Sequence, residues 1–535
     1  MVDKALREIA KDYRLDVDQL RQILKLLGAG YNPTYLLRYH KDLSASLEYE
    51  QFYELMEHKA RLDRLEKKRE KTRQKLEKQG VLSDELDQKL QGATTFKELM
   101  DYYVPYRPRK RSRSREALGQ GLGDLARQLL SEEKFVSEVG KVAEEYIDPD
   151  KGLEDVHDVL EGAAAIIADW VAEEKTHRDR QRKVLKKNGR LVCKKAKKNM
   201  PGRLAGEFKD YFDYSSRVGA LHPYQMLRIK RGSRLGALNY TIKPPLERMF
   251  RAGADLYLEG GSEEYGRIMS DLPDSFMSLE GDHVSELNTT EFLCLCLRKG
   301  LEGTLAPVLV RELDRDLKRK AESVALQILR QELKTLLMTQ PLPQKTVLGI
   351  KSGYRTGCKL AVLNEDGELV HTDIIYPHTP RYEVEESKET LAELIDEYGI
   401  DHVAIGSGTA SQETEGVVSD VIEEIERDMS YALVPEAGVD AYASGRTGKQ
   451  ELPDYSTAHR ASVSIARRLK DPLKELAKIN PLDLCTTEYH RDVDRKRLQQ
   501  ILNQVVEDCL CMVGIDLNKD GLPLPTALDG TPAAD

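Results

Sequence analysis

The sequence has 535 residues, of which 40% are hydrophobic, 6% aromatic and 32% Asp, Glu, Lys or Arg. This length allows several domains with real cores, and the abundance of charged side chains favours helix over sheet. The formal net charge of −9 excludes a protein that coats nucleic acid with its whole surface, because phosphate binding requires a positive field. Any contact with nucleic acid must therefore be local.

The sequence gives no sign of a membrane, metal or redox function. Its first residues are charged, and no window approaches the roughly 18 apolar residues that a membrane span requires, so we expect a cytoplasmic protein. Cys294 and Cys296 lie two residues apart, as do Cys509 and Cys511, but no Cys-x-x-Cys motif or histidine cluster accompanies them. We therefore predict reduced core thiols rather than a zinc site, and no cofactor.

Residues 1 to about 340 are predicted to be helical almost throughout. The first clear helix has apolar side chains on one face: Val17, Leu20, Leu24 and Leu27. Gly28, Gly30 and Pro33 follow and would end it. These signals predict a short helix-turn-helix unit near the start of the sequence.

A long charged helix is predicted over 54–79, because apolar residues there are sparse and Glu, Lys and Arg fill the other positions. Ser83 is a suitable cap for the next helix. Thr95, with Glu98 three residues later, predicts a capping box at the start of the one after.

The pattern changes near residue 345, where short apolar runs and hairpin turns replace the helical period. The predicted elements are strands 347–350, 358–363 and 368–376, helix 386–398, strand 402–407, helix 413–428, strand 431–435 and helix 462–469. The order βββαβαβα is that of the RNase H-like fold. We thus predict a multidomain α plus α/β protein, with a helical scaffold at 1–340, this domain at 345–470, a helical segment at 471–517 and a disordered tail at 518–535.

A basic segment between residues 106 and 115 is the first candidate contact with nucleic acid. Tyr106 precedes six basic residues in a stretch broken by Pro108: Arg107, Arg109, Lys110, Arg111, Arg113 and Arg115. Cations there could contact phosphates while tyrosines stack on bases. A solvated loop that balances acidic neighbours explains the composition equally well.

A second basic run spans 182–198. Its candidate contacts are Lys186, Lys187, Arg190, Lys194 and Lys195. A binding role and a charged helix face around a turn at Gly189 are equally compatible with this pattern.

Several segments, in chain order, resemble the Tex family of bacterial transcription accessory proteins. They are Tyr-Arg-Pro-Arg-Lys-Arg at 106–111, Phe-Lys-Asp-Tyr-Phe-Asp-Tyr at 208–214, Arg-Thr-Gly at 355–357, Tyr-Pro-His at 376–378, Ile-Gly-Ser-Gly-Thr-Ala-Ser at 405–411 and Glu-Leu-Pro-Asp at 451–454. The resemblance extends from about residue 5 to residue 517.

The resemblance implies a helical scaffold, an RNase H-like YqgF domain, a helix-hairpin-helix pair and an OB-type RNA-binding barrel. The first hairpin unit of the family would begin soon after residues 514–518, so we expect the last two modules to lie outside this sequence. The implied function is RNA-binding assistance to transcription, with RNA or another single-stranded nucleic acid and the transcription machinery as partners. Without those modules, binding is expected to be weaker.

The resemblance also bears on nuclease activity, since two-metal cleavage needs several converging carboxylates. Tex and YqgF proteins usually have Asp-Pro-Gly at the end of the first strand, but this sequence has Lys351, Ser352 and Gly353. The other expected positions carry Ser407 on the fourth strand, His459 and Arg460 on the last helix, and Glu436 as the one plausible ligand. We therefore predict a degenerate site without metal and without enzyme activity.

Two other functions fit the sequence. A protein-interaction scaffold that has lost nucleic-acid binding agrees with the net charge of −9. A metal-dependent nuclease would require Glu436 to act with partners that the sequence does not identify.

Overall fold

The computed structural model describes residues 6, 7, 9–11, 13–29, 31, 33–44, 47, 49–107, 112–131, 136–196, 202–273, 279, 281–425 and 427–514. The chain forms two compact units, one containing residues 1–21 and 50–321 and the other containing residues 22–49 and 322–535. The predicted disordered tail at 518–535 lies outside the described residues.

The helices and strands up to residue 337 have the following bounds. They are α1 (Val17–Gly28), α2 (Pro33–Tyr39), α3 (Lys41–Ser44), α4 (Tyr49–Lys78), α5 (Asp84–Gly92), α6 (Phe96–Tyr103), α7 (Arg113–Gly119), α8 (Gly123–Leu130), α9 (Val139–Ala143), α10 (Val156–Glu173), α11 (Lys175–Asn188), β1 (Arg190–Lys195), α12 (Gly202–Glu207), β2 (Asp213–Arg217), α13 (Pro223–Arg234), β3 (Leu238–Lys243), α14 (Leu246–Tyr257), α15 (Gly261–Asp271), α16 (Thr289–Gly300) and α17 (Ala306–Leu337).

The remaining elements contain the second sheet. They are β4 (Val347–Lys351), β5 (Cys358–Leu363), β6 (Leu369–Ile375), α18 (Val384–Tyr398), β7 (His402–Gly406), α19 (Ser411–Glu424), β8 (Ser430–Val434), α20 (Val439–Ser444), α21 (Arg446–Glu451), α22 (Thr457–Lys470), α23 (Pro472–Leu476) and α24 (Arg495–Met512).

The helix boundaries of the N-terminal half follow the sequence signals closely. Helix α1 ends at Gly28, and the Ser83 hydroxyl accepts a hydrogen bond at 3.2 Å from the backbone N–H three residues later. The Thr95 hydroxyl accepts from the Glu98 N–H at 3.1 Å, but the Glu98 carboxylate accepts from the Thr94 N–H, one residue earlier than a regular capping box. The predicted caps are thus present, with one shift in register.

The prediction of helix almost throughout the first 340 residues is wrong at three strands between residues 190 and 243, although α12 and α13 lie between them. Strands β1, β2 and β3 form an antiparallel sheet in the order β2-β1-β3. In β1, Leu191 and Cys193 are buried, while Arg190 and Lys194 are exposed on the opposite face. The concentration of lysines concealed this two-residue period, which is the signature of a half-buried strand.

The core of the first unit is built around α10, which is apolar on most sides and packs against α7, α8 and α16. The crossing of α10 and α16 is close. A Cβ atom added at Gly300 would lie 2.5 Å from the carbonyl oxygen of Ala168. Glycine therefore allows the two backbones to meet, which a larger residue would prevent.

A buried ion-pair network joins α6 to α11 in the first unit. The Asp101 carboxylate, 2% exposed, accepts hydrogen bonds from Arg178 Nε at 2.7 Å and from Arg182 Nη2 at 2.8 Å. Arg182 also donates to Glu312 at 2.9 Å. Buried charges are stable only when paired in this way, so these arginines serve the fold.

Replacing Asp101 with Ala is expected to destabilise the protein strongly, because Arg178 would lose its carboxylate partner inside the core. The expected loss is about 3–5 kcal/mol in the unfolding transition of the full chain, measured by urea denaturation. Asp124→Ala, which removes the partner of Arg127 at an exposed site, is the matched control and should change little. Equal effects of the two substitutions would contradict the proposed role of the network.

The second unit confirms the predicted α/β architecture. Its five-stranded sheet has the order β6-β5-β4-β7-β8, with β4, β7 and β8 parallel and β5 and β6 antiparallel to their neighbours. Helix α22 packs across β4 and β5. A Cβ atom at Gly349 would lie 3.0 Å from the backbone nitrogen of Ala466, so glycine in the central strand permits this close packing.

Two short helices, α20 and α21, precede α22 and were not predicted. Gly438, with φ of +72°, turns the chain into α20. This left-handed conformation favours glycine. The predicted domain limits of 1–340, 345–470 and 471–517 remain predictions.

Candidate functional site

The candidate site of the second unit lies where β4, β7 and β8 end. The carboxyl ends of parallel strands meet at one edge of a sheet, so residues that follow them come together. Here Lys351 Nζ forms an ion pair with Glu436 Oε2, and their side chains are 21% and 15% exposed. The Asp440 carboxylate lies 4.0 Å from the same amine and is 89% exposed.

Two glycines leave the space that Glu436 occupies. A Cβ atom added at either Gly406 or Gly408 would overlap the Glu436 carboxylate. The carboxylate is therefore seated directly over the end of β7. Its Oε1 atom is buried and has no hydrogen-bond partner among the described residues, and the same holds for the hydroxyl of Ser352.

A second cation, Arg468, lies close to Glu436. Arg468 is 4% exposed and donates from Nη1 to the Pro435 carbonyl at 2.6 Å. Burial lowers its pKa to about 10, against the opposing effects of Glu475 and Glu436, so it stays protonated at neutral pH. Glu436 is thus balanced by cations from two elements, β4 and α22.

The structure brings only some of the predicted nuclease positions together. Ser407 is exposed between the two glycines that contact Glu436, and its N–H donates to the Val434 carbonyl. His459 Nδ1 is 2.9 Å from the Ser456 hydroxyl, and burial, followed by Lys359, lowers its pKa.

Arg460 has a different role, since it is buried and its guanidinium donates to backbone carbonyls. Its acceptors are the carbonyls of Leu452 at 2.8 Å, Pro453 at 3.2 Å and Ala443 at 3.4 Å. It holds the chain around α20 and α21 and takes no part in the Lys351–Glu436 pair.

Sequence reasoning missed Arg468. The available signal was helical spacing, because Arg468 shares a face of α22 with the buried residues Ala461 and Ile465. A charged residue on such an apolar face requires a buried partner or acceptor.

The first basic segment is only partly described. Arg109, Lys110 and Arg111 lie outside the described residues. Tyr106, Arg107 and Arg115 are exposed. Arg113 lies 3.4 Å from the Glu161 carboxylate and 3.7 Å from that of Glu116, so its charge is already compensated.

Arg107 helps to line a groove of about 440 Å³, which we call the helix-end groove. Its lining residues are Lys75, Lys78, Gln79, Tyr103 and Arg107. None of its three cations forms an ion pair with another described residue. Unlike Arg113, they are available to an anion.

The second basic run is divided between structural and exposed residues. Arg182 belongs to the Asp101 network, whereas Lys186 and Lys187 are exposed at the end of α11. Arg190, Lys194 and Lys195 are exposed on β1 rather than on a helix, and Lys195 Nζ lies 5.2 Å from the centre of the Phe212 ring.

The described part of the chain contains no group of three or more His, Cys, Asp or Glu side chains placed to hold a metal ion. Among its helices, none combines the length and apolar character needed to cross a bilayer.

Comparison with known proteins agrees with this architecture. The family described as Tex protein YqgF-like domain matches residues 345–470, and the family described as Tex central region-like matches residues 137–329. The protein tex of Bordetella pertussis is 32% identical over 532 residues, covering 98% of this chain and 65% of that protein. The chain belongs to the Tex family.

Further relatives extend the similarity beyond one bacterium. The transcriptional accessory protein Tex of Neisseria gonorrhoeae is 31% identical, over 98% of this chain and 66% of its own length. The human S1 RNA-binding domain-containing protein 1 is 30% identical, over 93% of this chain and 48% of its own length. The chain thus spans about two thirds of the length of these two bacterial Tex proteins.

Gly406→Ala tests how closely Glu436 is seated. The added methyl group would overlap the carboxylate and displace it from Lys351, so we expect a loss of about 1–3 kcal/mol in thermal or urea unfolding. Glu436→Ala in the same chain should recover part of this loss.

Gly416→Ala is the matched control, because this glycine lies inside α19 and a methyl group there meets no atom within 4 Å. It should stabilise the protein slightly, since alanine favours helix. If Gly406→Ala behaved like Gly416→Ala, the described packing of Glu436 would be incorrect.

Proposed function

We propose that this Tex-family chain assists transcription without catalysis, by binding RNA or another single-stranded nucleic acid through exposed basic surfaces of its first unit. The names of the Neisseria and human relatives, which refer to transcription and to RNA binding, support this proposal. The observation that carries its non-catalytic part is the ion pair between Lys351 and Glu436.

The ion pair opposes hydrolysis by two-metal chemistry. Two divalent cations about 4 Å apart must be held by several carboxylates. Here the carboxylate of Glu436 is already neutralised by one amine and lies near a buried guanidinium, and the other nearby carboxylate, that of Asp440, projects into solvent. An added dication would meet positive charge before it met a second ligand.

The chain is therefore expected to leave single-stranded RNA and DNA intact in the presence of Mg²⁺ or Mn²⁺, as followed on denaturing gels. Lys351→Asp would replace the amine with a carboxylate beside Glu436. We expect that variant to show a rise in Tm on addition of Mn²⁺ that the unmodified chain lacks.

Glu436→Gln is the control for contaminating nucleases, because it removes the carboxylate that lies over the strand end and pairs with Lys351. Metal-dependent cleavage by the unmodified chain that disappears in Glu436→Gln would refute the non-catalytic assignment.

The helix-end groove is the part of the first basic segment best suited to binding phosphate. Lys75, Lys78 and Arg107 converge on one cavity, and no described carboxylate neutralises them. Tyr103 also lines the cavity but is 6% exposed, which leaves little of its ring for stacking on a base. Uncompensated cations that converge on one cavity suit a phosphate group, so we assign the groove to backbone contacts.

The triple substitution Lys75→Glu, Lys78→Glu, Arg107→Glu should weaken binding of a single-stranded RNA oligonucleotide by about tenfold or more at low salt. The slope of log affinity against log salt should fall by about 2, at roughly 0.7 per lost phosphate contact. Filter binding at low and physiological salt measures both quantities.

Arg127→Glu, Lys141→Glu and Lys151→Glu together form a control with the same change in charge, since each of these cations is exposed and already paired with a nearby carboxylate. The assignment of the groove would be wrong if the two triple variants bound RNA equally well.

A protein-interaction scaffold is the second candidate, and the net charge of −9 favours it. The same measurement separates the two functions. A chain that binds no RNA even at low salt would be a scaffold rather than a nucleic-acid-binding protein.

A further inference from the structure

One face of the three-stranded sheet is largely exposed and carries four basic residues. Directly paired residues in a sheet project from the same face, and so do residues two positions away. The pairing of β1 with its neighbours therefore defines this face by three rows of residues. They are Arg217, Arg190 and Lys243 in the first row, Ser215, Val192 and Thr241 in the second, and Asp213, Lys194 and Asn239 in the third.

The first row places three cations side by side. Arg190 in the central strand is paired in register with Arg217 on one side and with Lys243 on the other. All three are exposed. Adjacent strands are about 4.8 Å apart, so the row concentrates three positive charges within roughly 10 Å.

Like charges directly opposite each other destabilise a sheet unless something compensates them. None of these three cations forms an ion pair with another described residue. Among the described residues, the Arg190 guanidinium donates only to the Ser215 hydroxyl, at 3.0 Å from Nη2 and 3.3 Å from Nε. The fold therefore keeps a repulsive row that a bound anion would stabilise.

Protection of the sheet edges does not account for the row. Lysine on an edge strand discourages pairing with other chains, and this applies to β2 and β3. Arg190, however, lies in the central strand, where no edge needs protection. One cation on each edge strand would protect the sheet without Arg190.

The surroundings favour a polynucleotide over a single small anion. Lys194 adds a fourth cation on this face, about 13 Å from Arg190 at 3.3 Å per residue, and Asp213 is paired in register beside it. Exposed Ser215, Thr241 and Asn239 provide hydrogen-bonding groups on the same face.

An exposed aromatic pair follows the basic row in sequence. Arg217 ends β2, and His222 lies five residues later, with its ring stacked on that of Tyr224 at 5.8 Å between centres. Tyr224 is 45% exposed. Exposed aromatic rings can stack on the bases of unpaired strands.

We propose that this face, which we call the sheet face, binds the phosphate backbone of single-stranded RNA, with Arg217, Arg190 and Lys243 as the principal contacts. The inference rests on the proposed RNA-binding function and adds to it a second site, distinct in its residues from the helix-end groove. It also assigns a role to Arg217 and Lys243, which no sequence pattern singled out.

The test is the double substitution Arg217→Glu, Lys243→Glu in the full chain, with a fluorescent 20-nucleotide single-stranded RNA as the probe. Fluorescence anisotropy should show about tenfold weaker binding at low salt. The slope of log affinity against log salt should fall by about 1.4, for two lost phosphate contacts. Arg217→Lys with Lys243→Arg keeps the charge and should bind almost as the unmodified chain does.

The thermal stability of the double variant should not fall together with its affinity for RNA. The double reversal places carboxylates on both sides of Arg190 and removes the repulsion, so we expect Tm to stay the same or rise by about 1–4 °C. Weaker binding together with equal or greater stability cannot arise from misfolding.

The outcomes separate this inference from the proposed function. One outcome is that the unmodified chain binds RNA, the triple substitution in the helix-end groove weakens that binding, and Arg217→Glu, Lys243→Glu leaves it unchanged. In that case the sheet-face inference alone is wrong. If the unmodified chain binds no RNA, both fail. If polyglutamate of equal charge competes as strongly as RNA, the face is a docking surface for acidic protein, and the inference is overturned.

Discussion

The ammonium group of Lys351 neutralises the carboxylate of Glu436 where three parallel strands end, and the character of the second unit depends on this contact. Parallel strands bring side chains from distant parts of the sequence to one edge, where carboxylates could bind metal ions. In this chain the first of those strands supplies a cation. The two glycines after β7 then fix the carboxylate against the sheet, and Arg468 adds positive charge from the last helix. The resulting site is compact and internally compensated.

The first unit shows how the same residue type serves two purposes. Arg178 and Arg182 are paired with Asp101 in the interior, where an unpaired charge would be costly. A few residues later in the chain, Arg190 and Lys194 are exposed and have no carboxylate partner among the described residues. The distribution of acidic partners, rather than the number of basic residues, therefore distinguishes structural cations from those available to a ligand. A net negative protein can in this way retain local positive surfaces.

Much of the second unit could be predicted from sequence because its strands are short apolar runs separated by clear turns. The limits of β5 were predicted to the residue, and those of β4, β6, β7 and β8 to within one residue at each end. The β1–β3 sheet was missed because long-range pairing, rather than local propensity, decides whether a lysine-rich segment becomes a strand. Its partners lie about 25 and 50 residues away in the sequence.

The candidate sites also differ in how much of each one the sequence reveals. Lys351 and Glu436 were recognised through family resemblance, which reports positions that a fold brings together. Arg217 and Lys243 were not, because their significance depends on cross-strand register, which a single sequence does not display. Arg468 was missed although its helical spacing places it on a buried face. Arg113 is a different case, since basic composition suggested a ligand contact and the structure places two carboxylates near its guanidinium.

Anomalous X-ray scattering from a crystal of the full chain soaked in Mn²⁺ shows directly whether Lys351 keeps metal from Glu436, because it locates the metal without reliance on activity. We expect no manganese peak within coordination distance of Glu436, and an intact contact between Glu436 and Lys351. A manganese ion coordinated by Glu436, with the Lys351 side chain displaced from it, would show that the ion pair does not exclude metal.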